Sequence, residues 1–111
     1  MTYIKTFSGQ IIFMIDRNRI CEFSGKCINT VEGNRMCSFA GQTQYWIEPD
    51  CVKEFSGRTV YTVRGNDVCE FSGRIVYRFS NDCITDFSGR ILYRIDGPIS
   101  RTMLLAVIML I

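Results

Sequence analysis

A motif that returns every sixteen residues is the feature that most limits what this chain can fold into. Phe-Ser-Gly begins at residues 7, 23, 55, 71 and 87 and Phe-Ala-Gly at residue 39, with no insertion or deletion from residue 7 to residue 102. The period is too short for a pair of helices, and the apolar positions hold β-branched and aromatic residues, which favour pleated strands. Each unit therefore predicts a short β-hairpin.

Two turn signals lie inside each repeat, whose positions we number from the Phe. Ser-Gly follows the Phe directly, and a second pair, such as Gly33-Asn34 or Gly65-Asn66, falls at repeat positions 11 and 12. Both pairs place glycine where a tight hairpin turn needs a positive φ. With a two-residue loop at both places, each repeat is predicted to form strand, turn, strand, turn, with strands of about six residues.

Loops of even length and an even period keep each repeat position on one face of the sheet. Positions 5, 7, 9 and 14 share the predicted core face, and position 9 is apolar in every copy. The other face is mixed: it carries the Phe of position 1, an apolar position 6 and polar positions 4, 8 and 10. We expect each Phe ring to be structural and to cover position 6 of its own hairpin. Position 9 holds Ile15, Val31, Ile47, Val63, Phe79 and Ile95.

These hairpins predict an all-β domain over residues 1–102, with about twelve short antiparallel strands from six repeats. An uncovered sheet of that width would leave long edges, so a closed or ring-like meander is expected. The alternative is a β-solenoid in which each sixteen-residue coil stacks on the next. The periodicity alone is compatible with both.

The segment from Phe71 to Tyr93 resembles the four-fold β-flower proteins of bacteria. Those proteins alternate an aromatic-x-Gly turn, an apolar-x-Tyr strand and a second turn rich in Gly, Asn and Asp, and the resemblance extends over residues 3–97. It implies a ring of hairpins and a bacterial source, and it brings no biochemical activity with it. This chain has six units where the family name implies four.

Composition and charge exclude several classes of function. The formal charge of +2 is too even to indicate nucleic acid or an anionic membrane as the partner. The absence of histidine excludes Ser–His and Cys–His nucleophile pairs and any histidine-based zinc site. Polar residues recur with the repeat instead of clustering once. The sequence thus predicts a protein that is not an enzyme and that has no cofactor and no metal site.

The cysteines and the N-terminus bear on the compartment. The six cysteines form no C-x-x-C pair, and residues 1–6 lack the apolar stretch of a secretory signal. We therefore expect six free thiols and a cytoplasmic protein.

Residues 103–111 form an apolar C-terminal tail, Met-Leu-Leu-Ala-Val-Ile-Met-Leu-Ile. A membrane span needs about 20 residues, so the tail is too short to cross a bilayer. We expect it to pack on its own domain or against the tail of another subunit, which would make the protein self-associate. A remnant of a longer anchor is the second interpretation, and the only one that predicts a membrane partner.

The function predicted from these patterns is that of a non-catalytic structural or interaction module, with itself or another protein as partner. The alternative is a ligand-binding domain, for glycans above all, that uses aromatic residues of the mixed face. The candidate contact residues are Trp46, Gln44 and Tyr45, and Trp46 is expected to be the most accessible aromatic side chain. They fall within residues 27–53, where the repeat is least regular; drift in a tolerant repeat is the simpler reading of that irregularity.

Two further positions suggest surface chemistry. Repeat position 16 is acidic and repeat position 4 is basic in four of the turns. We expect these groups to form exposed ion pairs across each turn, each contributing about 0–1 kcal/mol. The acidic positions are Glu22, Glu54, Glu70 and Asp86, and the basic positions are Lys26, Arg58, Arg74 and Arg90.

Overall fold

The computed structural model describes all residues from 1 to 111 as a closed barrel of twelve antiparallel strands with one helix. Each strand pairs with its neighbours in the chain, and β1 pairs with β12 to close the ring. The predicted closed meander is confirmed, and the antiparallel pairing of consecutive strands excludes the solenoid. The elements are β1 Thr2–Thr6, β2 Ile11–Asp16, β3 Arg19–Glu22, β4 Cys27–Glu32, β5 Arg35–Ser38, β6 Thr43–Glu48, β7 Cys51–Glu54, β8 Thr59–Arg64, β9 Asp67–Cys69, β10 Ile75–Phe79, β11 Cys83–Thr85, β12 Ile91–Asp96 and α1 Arg101–Ile108.

The turn at each Phe differs from the two-residue loop that the sequence suggested. The N–H of Gly9 donates to the carbonyl of Thr6 at 2.9 Å, and the N–H of Thr6 donates to the carbonyl of Gln10 at 2.8 Å. Phe, Ser and Gly therefore form a three-residue loop, with the glycine at a φ of 97° in this copy.

A β-bulge in the following strand compensates for that odd loop. Cys21 lies opposite Cys27, but Ile20 lies opposite Asn29, so Ile28 is an extra residue. The same shift occurs in all six repeats. One odd loop and one extra residue together restore the predicted register beyond the bulge. Position 5, however, lies opposite position 15 on the outer face, so its assignment to the core was wrong.

The core consists of two rings of side chains around the helix. Repeat positions 9 and 14 are buried in the barrel, with the exception of position 14 in the last repeat, which is Ser100. Ile4, which precedes the first Phe, takes the position-14 place in β1. The tyrosines of position 7 are half-buried and pack against this core, as do Ile12 and Ile28 of position 6. Position 6 therefore contacts the interior in the first two repeats.

Helix α1 fills the interior of the barrel. The Oγ of Ser100 accepts a hydrogen bond from the N–H of Met103 at 3.1 Å and caps the first turn. All residues from Met103 to Ile108 are buried, each less than 10% exposed. A helix that is apolar on every side is stable in water only when it is surrounded. The tail of residues 103–111 therefore packs on its own domain.

The molecule is a flattened ring with extents of 36 × 33 × 18 Å. A six-residue strand is about 20 Å long, so the short axis follows the strands and the two long axes span the ring. The Phe-Ser-Gly turns lie on one rim. The two-residue turns of positions 11 and 12, such as Gly33-Asn34 and Pro49-Asp50, lie on the other, which we call the polar rim.

Candidate functional site

Six exposed phenylalanines mark one rim of the barrel as the candidate functional surface. Their exposed fractions range from 63% to 92%, the highest being that of Phe71. We call this surface the phenylalanine rim, defined by Phe7, Phe23, Phe39, Phe55, Phe71 and Phe87. Large exposed apolar side chains grouped on one side of a small protein make that side a candidate for further examination.

The prediction that each Phe covers position 6 of its own hairpin was wrong. The Phe is the first residue of a three-residue loop, outside the ladder that orients side chains toward or away from the core. The rings are 63% to 92% exposed, and position 6 contacts the core in the first two repeats through Ile12 and Ile28. The Phe ring of position 1 therefore does not cover the residue at position 6 of its own hairpin.

The charged residues of this rim do not form the predicted ion pairs. The four ion pairs of the molecule are Lys5–Asp96, Arg35–Glu32, Lys53–Glu48 and Arg78–Asp67, none of which joins position 16 to position 4. Three of the acidic groups, Glu54, Glu70 and Asp86, accept a hydrogen bond from the serine of their own turn instead. The rim therefore carries four cationic side chains without a bound carboxylate.

Asp86 shows the effect of such a turn most clearly. Its Oδ1 accepts from the hydroxyl of Ser88 at 2.6 Å and from the backbone N–H groups of Ser88 and Arg90 at 2.9 and 3.0 Å. The Ser88 hydroxyl bond is the main cause of a lowered pKa at Asp86, with smaller contributions from the backbone donors and the Arg90 charge. The carboxylate therefore stays charged and is fixed in the turn.

Clefts lie between neighbouring turns of the phenylalanine rim. One, of about 440 Å³, is lined by Phe7 together with Gly89, Arg90, Ile91 and Leu92 of the adjacent turn. A second, of about 510 Å³, is lined by Phe87 with Gly73, Arg74, Ile75 and Arg78. Each cleft thus combines an aromatic ring, an aliphatic side chain and an arginine.

A third depression, of about 450 Å³, lies between the turns of the third and fourth repeats and contains two of the three predicted contact residues. We call it the β6–β7 groove. The C-terminal end of the helix segment forms one of its walls. The groove is lined by Gln42, Thr43, Gln44, Tyr45, Glu54, Phe55, Met109 and Leu110.

The irregular residues of the second and third repeats compensate for each other. Asn29 replaces the usual tyrosine and is buried, and its Nδ2 donates to Gln44 Oε1 at 2.8 Å and to the Cys37 carbonyl at 3.0 Å. Gln44 is itself the polar exception at position 6. A buried amide needs partners, so these two exceptions form one satisfied polar contact beside the groove.

Trp46 is separate from this groove. It lies on the outer face of β6, opposite Arg35 and Lys53, and its Nε1 makes a long hydrogen bond of 3.5 Å to the Phe55 carbonyl. The side chain is half-buried. The expectation that Trp46 is the most accessible aromatic was wrong, because the rim phenylalanines are far more exposed.

The expectation of six free thiols was also wrong. Cys21 and Cys27 form a disulfide, whereas Cys37, Cys51, Cys69 and Cys83 are free. The three-residue loop sets position 15 of one repeat opposite position 5 of the next, and only Cys21 and Cys27 place cysteine at both of these positions. The cytoplasmic location stays a prediction.

A small cluster near the polar rim has side chains of the types that bind metals, but these side chains already form a hydrogen bond and an ion pair. Ligand atoms of Glu48, Asp50 and Cys51 lie within 4.8 Å of one another. Glu48 already accepts from the Cys51 thiol at 3.1 Å and pairs with Lys53 at 3.3 Å. Burial, followed by the Glu48 hydrogen bond and charge, raises the pKa of Cys51 to about 11. A protonated thiol and a bound ammonium oppose a cation, and we assign no metal site.

Comparisons with known proteins provide no relative for this fold. No protein-family model, no curated protein and no solved structure matches the chain. The single helix is too short to span a membrane.

Proposed function

We propose that this chain is a non-catalytic interaction module that binds its partner through the phenylalanine rim. One observation carries the proposal: six phenylalanines are 63% to 92% exposed on the same rim. Exposing a large apolar side chain forgoes about 1.5–3 kcal/mol of burial, so a set of six on one surface is costly to a chain that binds nothing. The proposal includes the resemblance to the β-flower proteins, which implies a ring of hairpins.

The rest of the barrel supports the same proposal. The helix lies inside the ring with its residues from Met103 to Ile108 buried, and every buried polar side-chain atom has a hydrogen-bond partner. The carboxylates of the rim repeat from turn to turn, and three of them accept a hydrogen bond from a serine hydroxyl. A glycosidase needs one unique pair of carboxylates in a cleft, and these groups do not resemble such a pair.

A photo-crosslinking experiment tests the proposed function. Benzoylphenylalanine replaces Phe71 in one variant and Arg64, at the polar rim, in a matched control. In cells that make the protein, irradiation should give crosslinked species with the Phe71 variant and none with the Arg64 variant. Equal labelling at both rims, or no crosslink at residue 71, would contradict the proposal.

The second candidate function is the binding of a glycan or similar polar ligand in the β6–β7 groove. It is favoured by the mixture of amide, carboxylate and aromatic groups contributed by Gln44, Glu54, Tyr45 and Phe55. On a glycan array, Gln44→Ala should abolish a genuine signal while Trp46→Ala leaves it unchanged, because Trp46 does not line the groove. A signal that both variants retain would exclude this groove.

A further inference from the structure

We infer that the phenylalanine rim binds the same rim of a second copy, giving a face-to-face dimer. The inference rests on the proposed function and names the partner of that surface. Three properties of the rim lead to a second copy: its relief, its charge and its area.

The relief of the rim is self-complementary. The Phe rings project from the turns, and clefts of about 440 and 510 Å³ lie between turns. Because the repeats are equal in length and closed in a ring, rotating one copy by half a repeat would set its projections opposite the clefts of the other. A ring entering the cleft beside Arg90 or Arg74 would meet an aliphatic side chain, a second aromatic ring and a guanidinium, which favours the face of an aromatic ring. Arg94 already lies 5.6 Å from the centre of the Phe7 ring.

The charge of the rim favours a copy of itself over an anionic surface. Four acidic residues at position 16 balance four basic residues at position 4, so the turns have no net charge. Two identical rims can place the acid of one turn opposite the base of another. An anionic lipid surface would be attracted by the bases and repelled equally by the acids.

The footprint of the molecule, viewed along the axis of the ring, is large enough for a stable interface. An ellipse with axes of 36 and 33 Å covers roughly 900 Å², close to the ~800 Å² per partner of a standard interface. The polar rim consists mainly of polar turns such as Gly33-Asn34 and Asn81-Asp82, so head-to-tail stacking would leave most of the phenylalanines against polar groups. An isologous face-to-face contact also closes on itself and ends at two copies.

Analytical ultracentrifugation of the full chain tests the inference. We expect a species of twice 12.8 kDa that dissociates on dilution. The variant Phe55→Ser, Phe71→Ser, Phe87→Ser should weaken the dimer by at least about tenfold, as loss of central aromatic anchors does. The control Arg19→Ser, Arg64→Ser, Asn81→Ser alters exposed residues near the polar rim and should leave the dimer unchanged.

Charge reversal supplies an independent test that does not depend on the apolar residues. A variant with Arg58→Glu, Arg74→Glu and Arg90→Glu has an acidic rim, and a variant with Glu54→Lys, Glu70→Lys and Asp86→Lys has a basic rim. Each alone should be monomeric at low salt because like charges face each other. An equimolar mixture should form a heterodimer, and circular dichroism verifies that both variants are folded.

The remaining outcomes overturn the inference in distinguishable ways. A wild-type chain that stays monomeric, that forms trimers or larger species, or that dimerises equally well after the three Phe→Ser changes excludes the face-to-face dimer. If such a monomer sediments with phosphatidylcholine vesicles, and the Phe→Ser variant does not, the rim binds a lipid surface and the proposed interaction function survives. If the monomer does not sediment with the vesicles and gives no crosslink at residue 71, the proposed function fails with the dimer.

Discussion

Phenylalanine occupies two environments in this molecule, and its place in the repeat decides which. Phe79, at position 9, is 7% exposed, faces the core and lies beneath the guanidinium of Arg101, 5.3 Å from its ring centre. Phe71, at position 1, is 92% exposed at the tip of a turn. The same side chain thus supports the fold in one place and is available to a partner in the other.

The two residues should respond oppositely to truncation. Phe79→Ala should lower the free energy of unfolding by about 3–5 kcal/mol, as for buried aromatic residues. Phe71→Ala should change it by less than about 0.5 kcal/mol, the size of a surface effect. Urea denaturation at a concentration where the chain is monomeric measures both. A loss above 2 kcal/mol for Phe71→Ala would mean that its ring supports the barrel after all.

At the scale of elements, the turn and the bulge determine how much of the structure could be predicted from the sequence. The periodicity, the strands, the antiparallel pairing and the closure follow from apolar alternation and glycine pairs. The bulge has no residue signature, because position 6 is filled by ordinary residues such as Ile12 and Val60. The bulge cancels the effect of the odd loop, so positions 7, 9 and 14 were assigned correctly to the core face. Position 5 lies between the loop and the bulge, and its assignment to that face was wrong.

The three-residue loop also limited how much of the candidate site could be predicted from the sequence. Gln44 and Tyr45 were selected because they interrupt or repeat a pattern, and both line the β6–β7 groove. The phenylalanines were missed because a conserved spacing of large apolar residues is normally a core signal. A three-residue Phe-Ser-Gly loop, recognised as such, would have placed them outside the ladder.

From the pairing of β3 with β4, which places Cys21 opposite Cys27, we predict how many cysteines an alkylating reagent will modify. Alkylation without reductant should modify at most four cysteines and leave a peptide pair linked through Cys21 and Cys27.

Because the thiolate is the reactive form, Cys51 should react only as the pH rises toward its pKa of about 11. Glu48→Gln removes a charge and weakens an acceptor that raise this pKa, so Cys51 should then react at lower pH. Mass spectrometry of the digest measures both effects, and six modified cysteines would exclude the disulfide.

At the scale of the whole molecule, the barrel and the helix depend on each other. A ring of twelve strands encloses more space than the side chains of positions 9 and 14 fill, since about eight strands already leave an interior just wide enough for side chains. The helix fills that space, and Arg101 fixes its entrance by donating to the carbonyls of Gly65 at 2.7 Å and Pro49 at 3.3 Å. The helix in turn has no polar face and would not persist in water alone.

This mutual dependence predicts that the barrel and the helix unfold in one transition. Leu105 is 1% exposed inside the ring, so Leu105→Ala should lower the free energy of unfolding by about 2–5 kcal/mol. The matched control is Leu110→Ala, at the half-buried Leu110 of the β6–β7 groove, which should lower the free energy of unfolding by less than Leu105→Ala does. Tyrosine fluorescence, which reports on the barrel wall through residues such as Tyr61, and far-ultraviolet circular dichroism should give coincident urea curves, as a single cooperative unit requires. Two separate transitions, or an unchanged midpoint for Leu105→Ala, would mean that the ring stands without its helix and that closure alone stabilises it.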